Sequence, residues 1–362
     1  MIGVWAASRK IPGSIGPVCG LGAAHLVKRP EHLLGERPLH GLLPRVTGQG
    51  GIMPEIVFGV DVAKDWIDVA RSDGRVQRLK CAADGYVAFA QEAAQAGAFV
   101  VFEASGDCDL ALRLALDASG VRYARVNPAQ ARFFAKGRGL RAKTDQVDAR
   151  MLRQMGLTQD LAPTPPVPEY MRHLNALVTR RQQVVTLRKT ERTRRHQTHD
   201  PLALGSVDAV LAMLGSEIAR LEAAISACIT ADADLRAANA HLRSAPGVGP
   251  VTAAALLAQA PELGQISPKA IAALAGLAPV ANDSGKRQGK RSIGGGRKPL
   301  RDILYMAAIG AARKDPQFRA FRDRLRAAGK AYKQATIAVA RKLITTLNAM
   351  IREGRDYKPA AA

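Results

Sequence analysis

Acidic residues are scarce in this chain: 31 Asp and Glu stand against 53 Lys and Arg, for a formal charge of +22 and a pI near 10.4. That balance disfavours a cationic partner and suits a polyanion, nucleic acid first and an anionic membrane second. No uninterrupted apolar run approaches a bilayer span, which argues against the membrane. There are only 4 cysteines, Cys19, Cys81, Cys108 and Cys228, with no C-x-x-C pair. A zinc site or a disulfide framework is thereby disfavoured, and a reducing cytoplasm, at the nucleoid for a nucleic-acid partner, is the expected setting. Aromatics make up 4% of the chain, so stacking platforms for single-stranded bases are sparse. What the chain does have is length and apolar content, 362 residues at 47%, enough for two or three domains with a sizeable core.

Residues 1–52 are rich in Gly, Pro and His, hold no acid before Glu31, and show no sustained helical or strand period. They lack the continuous apolar centre of a secretory signal. We expect a disordered extension or a product of start-codon choice, with the folded chain beginning at Met53.

From there the pattern sharpens. Ile56–Ala63 reads as a buried strand broken by one carboxylate, Asp61. Trp66–Ala70 alternates as a half-buried strand does, Ser72-Asp73-Gly74 is a turn, and Val76–Cys81 is a third strand, antiparallel to the second. A helix over Tyr86–Ala96 leads to a buried strand from Phe99 that ends in Glu103. A helix over Leu110–Leu116, a strand over Val121–Val126 and a helix opened by Pro128 follow. Three strands in a meander and then alternating helix and strand make a mixed α/β sheet, in the order of the ribonuclease H fold. Next comes Lys143-Thr144-Asp145-Gln146-Val147-Asp148-Ala149-Arg150. If it opens a helix, Asp145 and Asp148 share one face. Acids at a helix start are commonplace. Asp61 and Glu103, on apolar strands where carboxylates are otherwise unwelcome, turn the balance toward a cluster of four, which oxygen-loving Mg²⁺ would hold together.

Pro163, Pro165, Pro166 and Pro168 form a stiff linker. Met171–Gln197 then carries eight Lys or Arg, Arg188 and Arg192 among them, and one acid, Glu191. So few opposing acids favour phosphate contact over a merely solvated face. After a turn at Asp200-Pro201, residues Val207, Leu211, Leu214, Ile218, Leu221, Ile225 and Cys228 step as an a/d coiled-coil seam. Either a hairpin within one chain or a dimer interface satisfies it. Pro246-Gly247-Val248-Gly249-Pro250 is a helix-hairpin-helix type of turn, whose glycines let a DNA phosphate approach the next helix start. A loop rich in glycine and cations follows, with Ser284, Lys286, Arg287, Lys290, Arg291, Ser292, Arg297 and Lys298. From Val280 onward 20 Lys and Arg face 6 Asp and Glu, and Leu300–Ala312 and Ala331–Ile351 read as closing helices. By composition alone Ser284 reads as a turn residue rather than a nucleophile, and Ser292 is as good a nucleophile candidate on the same evidence.

These pieces together resemble the DEDD transposases of the insertion-sequence one-ten family, relatives of the Piv-type DNA invertases. They are G-V-D-V-A-K around Asp61, F-E-A-S-G around Glu103, V-N-P-A-Q-A-R-F-F-A from Val126, and A-K-T-D-Q-V-D-A-R around Asp145 and Asp148. P-G-V-G-P-V-T-A-A, G-L-A-P with a following S-G, and L-R-D-I-L-Y-M-A-A complete the set. The resemblance implies a ribonuclease H/RuvC-like catalytic domain over residues 53–160, a basic helix and coiled-coil linker over 161–230, and a mostly α C-terminal domain over 231–362. It implies that Asp61, Glu103, Asp145 and Asp148 are catalytic acids that hold Mg²⁺ and that Ser284 is a catalytic serine. Lys143, Arg188, Arg192, Gly247, Gly249, Lys286, Arg287, Lys290, Arg291, Arg297 and Lys298 are the nucleic-acid contacts expected beside them. The implied activity is RNA-guided DNA recombination by a homo-oligomer, a dimer or tetramer, with a non-coding bridge RNA as partner. A structure-selective, metal-dependent nuclease and a non-catalytic nucleic-acid binder are the rival expectations.

Overall fold

Apolar side chains on both faces of Val57–Val62 (β1) make it a buried central strand. The computed structural model describes residues 56–106, 108–139, 144–281, 283–284, 289 and 291–359. The expectations for residues 1–52, Lys143, Lys286, Arg287 and Lys290 lie outside the described residues. Around β1 a five-stranded sheet forms with Trp66–Ala70 (β2), Val76–Lys80 (β3), Phe99–Glu103 (β4) and Tyr123–Val126 (β5), in the order β3-β2-β1-β4-β5. The first three strands are antiparallel, whereas β1, β4 and β5 run parallel.

Alternation then sorts the side chains. Phe58, Val60, Val100 and Phe102 pack under Ala83–Gln95 (α1) and Leu110–Ala118 (α2), with Phe89, Leu112 and Leu116. Val57, Phe99 and Val101 face Pro128–Gly137 (α3) and Asp145–Thr158 (α4), with Met151, Leu152 and Met155. Gly59 lies on that second face. A Cβ there would stand 2.1 Å from the Ala149 carbonyl oxygen, so glycine is what lets α4 close onto β1. The proline stretch is tied to the sheet rather than free: the Thr164 N–H donates to the Tyr123 carbonyl (2.7 Å), and the Arg125 N–H to the Thr164 hydroxyl (2.8 Å).

Glu169–Gln197 (α5) and Pro201–Ala231 (α6) form an antiparallel hairpin, Asp200 capping α6 with its side chain on the Ala203 N–H. Ion pairs of Arg195 with Asp208 and of Arg181 with Glu222 set its register. Leu214, Ile218, Leu221 and Ile225 are buried along the seam as expected, and the last buried position is Ile229 rather than Cys228. A helix of 3.6 residues per turn drifts off a strict heptad, which moves the contact one residue on. Of the two ways to fill the seam, α5 of the same chain supplies the partner. Among the described residues α6 alone is long and apolar enough to cross a membrane, although Asp208, Glu217, Arg220 and Glu222 interrupt it.

A further core gathers the base of α5 with Ala233–Ser244 (α7), Pro250–Gln259 (α8), Pro268–Leu274 (α9), Lys298–Lys314 (α10), Pro316–Ala327 (α11) and Tyr332–Glu353 (α12). Ala253 to Ala258 of α8 are all buried, which puts that helix at its centre. Gly247, at φ +80°, lies against α10, where a Cβ would meet the Ala307 carbonyl oxygen at 2.2 Å. The glycine- and cation-rich loop contains a short antiparallel ribbon, Pro279–Val280 (β6) with Ser292–Ile293 (β7), which the sequence pattern does not reveal.

Candidate active site

Strand register assembles the acidic residues. On β1, Val57, Gly59 and Asp61 share the α4 face, and on β4 so do Phe99, Val101 and Glu103. Gly59 pairs with Val101 and Val60 with Phe102, so one more step sets Asp61 beside Glu103 at the ends of neighbouring parallel strands. On the other side Asp61 is opposite Asp68 of β2, and Asp68 is opposite Arg78 of β3. Arg78, Asp68, Asp61 and Glu103 thus form one row across four strands.

Helix α4 brings the other two acids. Thr144 caps it, its hydroxyl accepting from the Val147 N–H (3.3 Å), so Asp145 and Asp148 fall in the first turn as expected. Ala149 and Arg153 lie over Gly59, and Gly156 over Val57 and Val101, so α4 runs against β1 and its N-terminal turn lies at the Asp61 end. Arg153 and Arg150 fasten α4 to the β2–β3 turn through the carbonyls of Ser72 (2.6 Å) and Gly74 (3.4 Å).

Electrostatics register this convergence. The Asp61 carboxyl is pushed up to about 6, first by burial and then by repulsion from Asp148, Asp145, Asp68 and Glu103. An all-oxygen donor set in which one member is reluctant to ionise fits a hard divalent cation, which would reverse that repulsion. Among the described residues, no three of these carboxylates are yet grouped as a ready ligand set.

Asp68 and Arg78 carry no mark in the sequence. The alternation of Trp66–Ala70 points Asp68 outward, yet it is fully buried beneath Arg78. The guanidinium donates to both its carboxylate oxygens, Nε at 3.0 Å and Nη2 at 2.7 Å. Nη2 also reaches Asp145 at 3.0 Å, and the guanidinium lies 4.5 Å from the centre of the Trp66 ring. A second fully buried acid, Asp109, braces the turn after Glu103. It accepts from the Ser105 N–H (3.1 Å), Arg113 Nε (2.9 Å) and Arg125 Nε (2.7 Å). A buried carboxylate three arginine or amide bonds deep has no local sequence signature.

The remaining candidates belong to the helical core. Ser284 is exposed between β6 and β7, and Asp283 braces its loop by accepting from the Gly289 N–H (3.0 Å) and pairing with Arg291 (3.7 Å). Arg297 is held by Glu262 through both nitrogens (2.6 and 2.7 Å) and Lys298 by Asp302 (2.5 Å). Arg188 and Arg192 stand on the outer half of α5, Arg192 exposed. Gly247 packs against α10, whereas Gly249 opens α8 with no side-chain cap and open space around its Cα.

Comparison with known proteins gives two family matches: residues 58–200 match a DEDD transposase profile and residues 239–323 the profile described as "Transposase IS116/IS110/IS902 family". The pilin gene-inverting protein of Moraxella bovis is 32% identical over 236 residues, 64% of this chain and 73% of that protein. An uncharacterized 43.6 kDa protein of insertion element IS110 from Streptomyces coelicolor is 35% identical over 160 residues, 42% of this chain and 39% of the relative. The 42 kDa protein of insertion element IS900 from Mycobacterium paratuberculosis is 42% identical over 92 residues, 25% of this chain and 23% of its own length.

Proposed function

The chain belongs to the IS116/IS110/IS902 family of transposases, and on that premise we propose that it cuts and rejoins DNA through the four acids and a serine nucleophile. One observation carries the proposal: Asp61, Glu103, Asp145 and Asp148 are brought to one end of the sheet, where Asp61 feels all the others. In this reading residues 53–160 are a ribonuclease H-like domain, 161–230 a basic linker, and 231–362 the domain that delivers the serine. Asp61, Glu103, Asp145 and Asp148 would hold Mg²⁺. When bound, such ions supply charge stabilisation for the attacking and departing oxygens at a phosphodiester.

The chain's own groups do the rest. The Ser284 hydroxyl attacks phosphorus, the bond from phosphorus to one DNA oxygen breaks, and the serine proton passes to that leaving oxygen. A hydroxyl of the new DNA partner then attacks the phosphoserine and frees the serine, so no phosphodiester is hydrolysed overall. Arg291 and Lys298, with Lys286, Arg287 and Lys290 of the same loop, would offset phosphoryl charge. Arg188, Arg192 and the free N–H groups at the α8 start would hold the backbone. Gly247 and Arg297 contribute by packing and by the Glu262 pair. Ser284 stands on a different core from the acids, which favours a composite site in an oligomer. Sequence choice would fall to a guide RNA, which fits a strongly basic chain with few obvious base-reading elements.

Ser284→Ala tests this. The variant is expected to bind DNA like the parent, to form no protein–DNA adduct on a denaturing gel, and to join nothing. Normal recombination by the variant refutes the nucleophile. Free DNA ends without an adduct from the parent would instead support a metal-dependent nuclease.

A further inference from the structure

The four acids lie near one another but do not form a ready cation pocket among the described residues. Asp145 is the member whose engagement elsewhere is visible. Its Oδ2 accepts from Arg78 Nη2 at 3.0 Å and from the Trp66 indole Nε1 at 3.4 Å. Arg78 itself is anchored independently of Asp145, by two bonds to the buried Asp68 in the next strand. We propose that Arg78 is the resident counter-cation of this site: it holds Asp145 in the metal-free protein and surrenders it when a divalent ion enters. The proposal rests on the metal-binding reading of the acids given above.

Three features support a hand-over rather than a fixed brace. The Arg78 and Asp145 side chains are about half exposed, 47% and 46%, so their pair is the weak kind that solvent screens. The Asp68 side chain is 1% exposed and accepts from two of the guanidinium nitrogens, Nε and Nη2, so Arg78 keeps its place when Asp145 leaves. Asp145 sits in the first turn of α4 and adds to the repulsion on Asp61 while bonded to Arg78, so it is already within electrostatic reach of that carboxyl. Arg78 is therefore a positioning residue, acting on the ion through Asp145. It spares the empty site one uncompensated charge and sets a threshold for metal loading. Trp66 reports the exchange, because its ring contacts Arg78 and its N–H contacts Asp145.

The experiment uses the full chain carrying Trp5→Phe, which leaves Trp66 as the only indole of the two in the sequence. Mg²⁺ is titrated while Trp66 emission is followed, and affinity is measured in parallel by calorimetry. Two charge-conserving changes are compared. Arg78→Lys keeps a cation on Asp68 but loses the fork that spans both acids. The double change Asp68→Asn with Arg78→Gln removes the pair without stranding a buried charge. Both are expected to bind Mg²⁺ about three- to tenfold more tightly than the parent and to show a smaller emission change. Equal or weaker binding by the double variant overturns the hand-over while leaving the metal reading intact. No Mg²⁺ binding by the parent overturns both. A circular-dichroism melt establishes that each variant is folded, and the double variant decides if Arg78→Lys is not.

Discussion

Replacing Asp61 by Asn should make the metal-free protein more stable above about pH 6, an unusual outcome for a residue placed at the centre of the chemistry. Asp61 is raised from 3.8 to about 6, first by burial and then by Asp148, Asp145, Asp68 and Glu103. A carboxyl that holds its proton more tightly when folded loses stability as pH climbs from the unfolded value toward the folded one. The whole cost is in place above about pH 6 and absent below about pH 4. Taken at face value the shift corresponds to about 3 kcal/mol. The site is part open, and screening reduces that to about 1–2 kcal/mol. Asn keeps the shape without the charge, so the variant should melt several degrees higher than the parent at pH 7.5 in EDTA and at the same temperature near pH 4. Excess Mg²⁺ should reverse the order, because only the parent gains from a ligand that binds the folded state. Equal melting temperatures at pH 7.5 in EDTA, or a less stable variant, would refute the argument that these acids crowd one another.

Other consequences can be measured on the same preparations. Gly59→Ala drives a Cβ into the α4 backbone and should cost about 2 kcal/mol or more by urea unfolding, with metal binding lost as α4 is displaced. Gly247→Ala should be destabilising to a similar degree, being both at positive φ and pressed on α10, whereas Gly249→Ala should leave stability within about 0.5 kcal/mol and lower only DNA affinity in a salt-dependent titration. Asp109→Ala strands Arg113 and Arg125 and should cost about 3 kcal/mol by urea unfolding. Asn348 is fully buried, accepts from the Gly264 N–H (2.7 Å) and donates to the Ile266 carbonyl (2.9 Å); Asn348→Ala should cost about 2 kcal/mol by the same assay.

The sheet was legible because its signals are local. β2 spans Trp66–Ala70 as expected from the sequence, and β4 begins at Phe99, because β-branched runs closed by turns leave few alternatives. Asp145 and Asp148 were legible for the same reason: Thr144 caps a helix whose first turn they occupy. The helix α11 has an apolar stripe of Phe318, Phe321 and Leu325, but it spans only 12 residues crowded with arginine, so the stripe does not stand out from the basic sequence around it. The β6–β7 ribbon is two residues per strand, too short for any period.

Asp68 shows why the site itself was only half visible. Along β2 it reads as the polar member of an alternating strand, which places it in solvent. That inference assumes one face of β2 is bare, and α4 covers it. Its partner, Arg78, is fixed by the β2–β3 register, and its second partner, Asp145, by where α4 crosses the sheet. Burying the Asp68 carboxylate costs desolvation, which a half-exposed arginine offsets only in part, and replacing such a carboxylate by an apolar residue is often neutral or stabilising. Its presence one strand from Asp61 is therefore hard to explain by stability alone. A cation kept beside an acidic cluster lowers the cluster's self-repulsion while it waits for metal, and this gives the pair a reason to sit where it does.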